Sequence, residues 1–161
     1  MRVLLFAGLA LSGATTIAAQ NPSAPSEPAK MTLYPSSEIQ WKDGPASLPK
    51  GAKMAILEGD PTQPGVFTMR IKFPAGFRVS PHYHSQIEHA TVISGTLHLG
   101  MGSTFDKDAT RVLHAGDFGF WVPGTPHYAW FEGETVLQLH GQGPWTVTYV
   151  NPADDPRKPA P

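Results

Sequence analysis

The chain has 161 residues, with 17 prolines and 16 glycines, which fits one domain long enough to bury a real core. A formal net charge of −1 without any Lys/Arg cluster argues against nucleic acid or an anionic membrane as a partner. The lack of cysteine excludes disulfides, thiolate zinc sites, iron–sulfur clusters and cysteine nucleophiles.

Residues 1–19 have the layout of a secretory signal peptide. Arg2 supplies the positive start, Val3 to Leu11 a short apolar run, and Thr15 to Ala19 the small residues that favour cleavage after Ala19. The apolar run is too short to span a bilayer. The mature protein is therefore expected in a bacterial periplasm or outside the cell, with no membrane contact once the leader is removed. Residues 20–32 follow as a Pro/Ser-rich tether with little apolar area to bury. The folded domain is expected over residues 33–150. The tail, residues 151–161, resembles the tether in composition and reads as flexible, with its first residues close enough to pack back.

Within the domain, helical periodicity is nearly absent and Gly and Pro punctuate short segments. Met54 to Leu57 reads as a strand. Val66 to Phe73 alternates, with Phe67, Met69, Ile71 and Phe73 on one face and Thr68, Arg70 and Lys72 on the other. Glu88 to Ile93 and Thr96 to Leu99 flank a Ser94-Gly95 hairpin turn. Arg111 to His114, Asp117 to Val122, His127 to Phe131, Thr135 to His140 and Trp145 to Val150 complete the series. Roughly nine or ten short strands point to an antiparallel sandwich or barrel. A strand near Ile39 to Trp41 is placed to add to the sheet of a second copy, giving a homodimer.

Four residues carry the chemistry. His82 and His84 are two apart, so on a strand both rings face one way. Glu88 keeps the same parity, and His127 opens a new strand after the turn Pro123-Gly124-Thr125-Pro126. Three neutral imidazoles and one carboxylate suit one divalent transition metal: Fe, Mn, Ni, Cu, Co or Zn. Four protein ligands on a metal that prefers five or six leave room for water, O₂ or substrate.

The spacing around them is ordered. Gly76, five residues, His82-Tyr83-His84, three residues, Glu88, six residues and Gly95 form one block. Gly116, ten residues and His127 form a second. These blocks resemble the two motifs of the cupin superfamily. The first is matched without a gap. The second departs at Val122, where proline is expected, and at Phe131, where asparagine is expected. Neither position is a ligand, and Phe131 shares parity with His127, which makes the pocket more apolar. The resemblance covers about Gly51 to Val150. It implies an all-β antiparallel jelly-roll barrel with His82, His84, Glu88 and His127 on one metal, and it looks most like the small single-domain bacterial cupins.

The activity stays open among several readings. One is a metal-dependent oxidoreductase, dioxygenase-like, with Glu88 moving between ligand and proton acceptor. A variant is copper-dependent oxidation of a saccharide or aromatic substrate, prompted by export and by Trp121, Trp130 and Trp145. A second is a binding protein that holds metal and a small ligand without turnover. A third is an isomerase or epimerase that uses His140 as base, with Gln138 beside it on one polar face of its strand. His89, His98 and His114 are expected to be non-ligands. Tyr83 is expected to face away from the metal.

Overall fold

The computed structural model describes residues 31–158, so the expected leader, most of the tether and the last three residues lie outside the described residues. A compact unit begins at Tyr34. A 3₁₀ turn at Ser36–Glu38 precedes eleven strands: β1 (Lys42–Asp43), β2 (Lys53–Glu58), β3 (Gly65–Phe73), β4 (Arg78–His84), β5 (Glu88–Ser94), β6 (Thr96–Met101), β7 (Thr110–His114), β8 (Phe118–Trp121), β9 (His127–Phe131), β10 (Thr135–Gly143) and β11 (Val147–Tyr149). They form two antiparallel sheets packed face to face in the jelly-roll manner. One has the order β1-β2-β3-β10-β5-β8, the other β11-β4-β9-β6-β7.

The alternation read in β3 sets the inner face of the first sheet. Phe67, Met69, Ile71 and Phe73 are buried, and Leu137 and Leu139 of β10 and Ala90 and Val92 of β5 bury beside them. The second sheet answers with Val79, Leu97, Ala129, Phe131, Val147 and Tyr149. Phe73 and Phe131 join the two layers as a parallel stack with centroids 4.0 Å apart.

Two local features aim the site. The β4–β9 pairing shifts register between Val79 and His82, and Pro81, which has no N–H to give a ladder, sits in the gap. Val79 and Pro81 are buried before the shift, His82 and His84 after it, so the parity of β4 changes at Pro81. That shift turns both imidazoles into the barrel. The second feature is the turn before β9, where Gly124 takes a φ of 75° and donates its N–H to the His84 carbonyl at 3.0 Å. It ties the start of β9 to the end of β4.

The strand expected at Ile39–Trp41 is displaced. Ile39 is buried, and pairing begins only at β1, which is two residues long and joins β2. Beyond β11, Asn151 caps a second 3₁₀ turn (Pro152–Asp154), and Arg157 Nη2 donates to the Val147 carbonyl at 2.9 Å.

Candidate metal centre

The barrel brings His82, His84 and His127 together. The register pairs His82 with His127 across β4 and β9, and ligand-capable ring nitrogens of the three residues lie within 4.8 Å of one another. Each ring gives its Nδ1–H to a backbone carbonyl: His82 to Ser80 at 2.8 Å, His84 to Thr146 at 3.0 Å, His127 to Thr125 at 3.0 Å. A carbonyl can only accept, so Nδ1 carries the proton and Nε2 keeps its lone pair. This is the outer-layer bond that orients a metal-bound imidazole.

Glu88, at the start of β5, is buried and enters the same space. Its Oε2 lies 2.6 Å from His84 Nε2 and 3.7 Å from His127 Nε2. With the His84 proton on Nδ1, two lone pairs would face each other at 2.6 Å, and the buried Nε2 has no hydrogen-bond donor of its own to meet. Such a pair needs a proton or a cation between its members. The donor set therefore fits a divalent metal: three neutral nitrogens and one carboxylate oxygen, all buried.

The electrostatics agree. Burial, reinforced by His127 and His84, pushes His82 down to about 3, and burial also lowers His127. Both are neutral at pH 7 and ready to ligate. Burial raises the Glu88 carboxyl, but the facing imidazoles of His84, His127 and His82 lower it by more, so the carboxylate is the favoured form.

Two of the tryptophans brace the metal residues themselves. Trp121 pairs with Glu88 in the β5–β8 register and donates its indole N–H to Glu88 Oε2 at 3.0 Å. Trp145 lies flat on His84, with centroids 4.2 Å apart and planes 17° apart. Neither was legible locally, because both contacts come from the pairing of strands far apart in sequence. The carbonyls of Ser80 and Thr125 had a local signal: each stands two residues before its histidine.

The cavity around these groups measures about 60 Å³, room for a metal ion and a few water-sized groups. Its wall is mostly apolar, with Ile71, Leu97, Leu99, Phe131, Leu137 and Leu139 among its residues. Phe131 thus stands where parity with His127 places it.

His140 does not reach this cavity. Leu137 and Leu139 of β10 face inward, so Gln138 and His140 take the outer face. There Gln138 accepts from Arg70 Nε at 3.1 Å, and His140 stacks on His89 at 4.6 Å. His140, expected as a base at the metal, therefore stands on the opposite face of the sheet from it. His98 stacks on Trp130 at 3.7 Å, and His114 on β7 is exposed, so neither joins the three-imidazole group. The tryptophans form no open stacking platform either. Trp130 lies between His98 and Lys107, Trp41 lies under Lys72, and the other two press on the metal residues.

A family profile described as a cupin domain matches residues 69–140. No curated protein matches the chain in sequence. Among solved structures, the polyketide cyclase RemF from Streptomyces resistomycificus is similar with a TM-score of 0.66 at 17% identity, over 80% of this chain and 91% of that one. A putative acetylacetone dioxygenase from Methylibium petroleiphilum is similar with a TM-score of 0.60 at 19% identity, over 83% and 90%. An acetylacetone dioxygenase from Acinetobacter johnsonii scores 0.60 at 16% identity, over 84% and 88%. Residues 69–140 thus match a cupin domain, and they lie within a single two-sheet barrel among the described residues that carries the converging imidazoles.

Proposed function

We propose that this protein is an exported oxidoreductase of the dioxygenase type, working with one divalent transition metal on a small substrate. One observation carries the proposal: three buried imidazoles with Nδ1 tied to backbone carbonyls and Nε2 left free, beside a buried carboxylate. His82, His84 and His127 would hold the ion, and Glu88 would supply the fourth oxygen. A metal bound there supplies Lewis acidity and one-electron chemistry.

The chain's own groups do the rest. The Trp121 N–H holds Glu88 Oε2, so a proton leaving the substrate has a fixed acceptor within the cavity. The apolar wall keeps bulk water out and strengthens each polar contact inside. The small cavity favours a compact substrate over a saccharide. The likeness to proteins named acetylacetone dioxygenases puts small β-dicarbonyl compounds first in a substrate screen. Export rests on the leader read in residues 1–19, and sequencing the mature amino terminus checks it.

The test is oxygen uptake by metal-loaded protein across β-dicarbonyl and phenolic substrates, with His127→Ala as control. Uptake that needs substrate and disappears in the variant supports the proposal. Metal binding and substrate binding without uptake would assign the chain to the rival reading, a cupin that binds without turnover.

A further inference from the structure

Beside the metal cavity lies a second, larger one. It measures about 540 Å³ against about 60 Å³ for the first, and the two share Pro45, Ser47, Trp145 and Val147 as a common wall. The strand register continues the link. Ile71 of β3 lines the metal cavity, and its partner across the ladder, Met54 of β2, lines the outer pocket. Met69, buried on the inner face of β3, lines the outer pocket too, and its partner Ile56 stands beside it on β2. Cross-strand partners share a face, so Met54 and Ile56 look into the space between the layers.

This pocket is built by parts of the chain outside the matched domain. Only Met69 of its lining falls within residues 69–140. The rest comes from the loop at Pro45 and Ser47, β2, the turn over residues 59–62, residues 145–147 and Arg157 beyond β11.

The charged side chains of the lining already have partners. Asp60 accepts from the Thr62 N–H at 2.8 Å and from its hydroxyl at 2.7 Å. Arg157 donates to the two oxygens of Asp155 at 2.7 Å and 2.9 Å, so its charge is already met. Met54, Ile56 (39% exposed), Met69 and the Trp145 ring leave apolar surface between them. An apolar chain gains by covering that surface, whereas a charged group would lose water there without a counter-ion.

We propose that the outer pocket holds an apolar chain of the substrate while its oxygen-bearing end reaches the metal cavity, and that Met54 and Ile56 set the length of chain accepted. Trp145, flat on His84 and present in both walls, marks where the two ends of the substrate join. The substrate class is then an alkyl-bearing β-dicarbonyl compound. The β-dicarbonyl end rests on the function proposed above; the pocket for the chain does not.

Calorimetry on the metal-loaded full chain, kept free of oxygen, tests it. The probes are acetylacetone and the homologue in which butyl replaces one methyl. The butyl homologue should bind about tenfold or more tighter, since each methylene buried there contributes about threefold. Ile56→Trp fills the pocket and Ile56→Asp charges it. Each should level the two affinities while the metal content is kept, and the second variant decides the matter where the first fails to fold. Equal affinities in the wild type, no binding of the butyl homologue, or a chain-length preference that survives both variants would overturn the proposal. Oxygen uptake separates this outcome from that of the function. A preference in binding without uptake of oxygen by any compound of the screen sinks the oxidoreductase reading and leaves the pocket standing. Uptake without the preference does the reverse.

Discussion

Glu88 Oε2 faces one group that holds it and one that needs a cation between them. His84 Nε2 stands 2.6 Å from its Oε2, and Trp121 donates to the same oxygen at 3.0 Å. Trp121→Phe keeps an aromatic ring, though a smaller one, and removes the N–H. Metal affinity, measured by chelator competition, should fall about tenfold while the melting temperature stays near wild type. Unchanged affinity would make the bond incidental. The buried imidazoles also set a pH dependence in the metal-free protein. His82 drops from the usual 6.5 to about 3 on folding, and His127 moves the same way. As pH falls below 6.5, the unfolded chain takes up protons that the folded site refuses. This stability is fully present above 6.5 and is lost as pH falls toward 3. The melting temperature of metal-stripped protein should drop over that window, less steeply in His82→Asn; a flat profile in the wild type would contradict the assignment.

At the scale of elements, the readable parts were those whose signal is local. β3 alternates, and its inner face was named residue by residue. β9 begins at His127 and ends at Phe131, as a strand opened by the Pro-Gly turn should. The parity argument for His82 and His84 holds, although Pro81 changes the parity of the strand just before it. Signals that depend on pairing were not readable. The same Trp-bearing alternation serves the metal at Trp121 and Trp145 but the outer surface at Trp130, and only the register separates them. The polar face of β10 is an outer face for the same reason, because neighbouring strands decide which side is in. Turns, by contrast, carry their own constraint. Gly95 has a φ of 83°, and a Cβ there would meet the Glu134 carbonyl and the backbone of Thr135, whose hydroxyl binds Thr96 N and O. Gly95→Ala should therefore cost about 2 kcal/mol or more, read as a lowered denaturant midpoint. A midpoint equal to wild type would show that the hairpin relaxes without cost.

For the whole molecule, the two sheets supply one buried site from four strands that belong to two separate stretches of sequence. β4 brings His82 and His84, β5 Glu88 and β9 His127, while β8 braces the carboxylate with Trp121. The two motif blocks made the ligands legible because each block is short and its spacing is local. The bracing layer was not, since closing the barrel creates it. The most direct test of the central claim is elemental analysis of the protein purified from its native compartment, beside His82→Ala. The account predicts about one equivalent of a divalent transition metal per chain, lost in the variant while the β-sheet circular dichroism is kept. A wild type that carries no metal and takes up none when it is offered, or a variant that retains its metal, would contradict it.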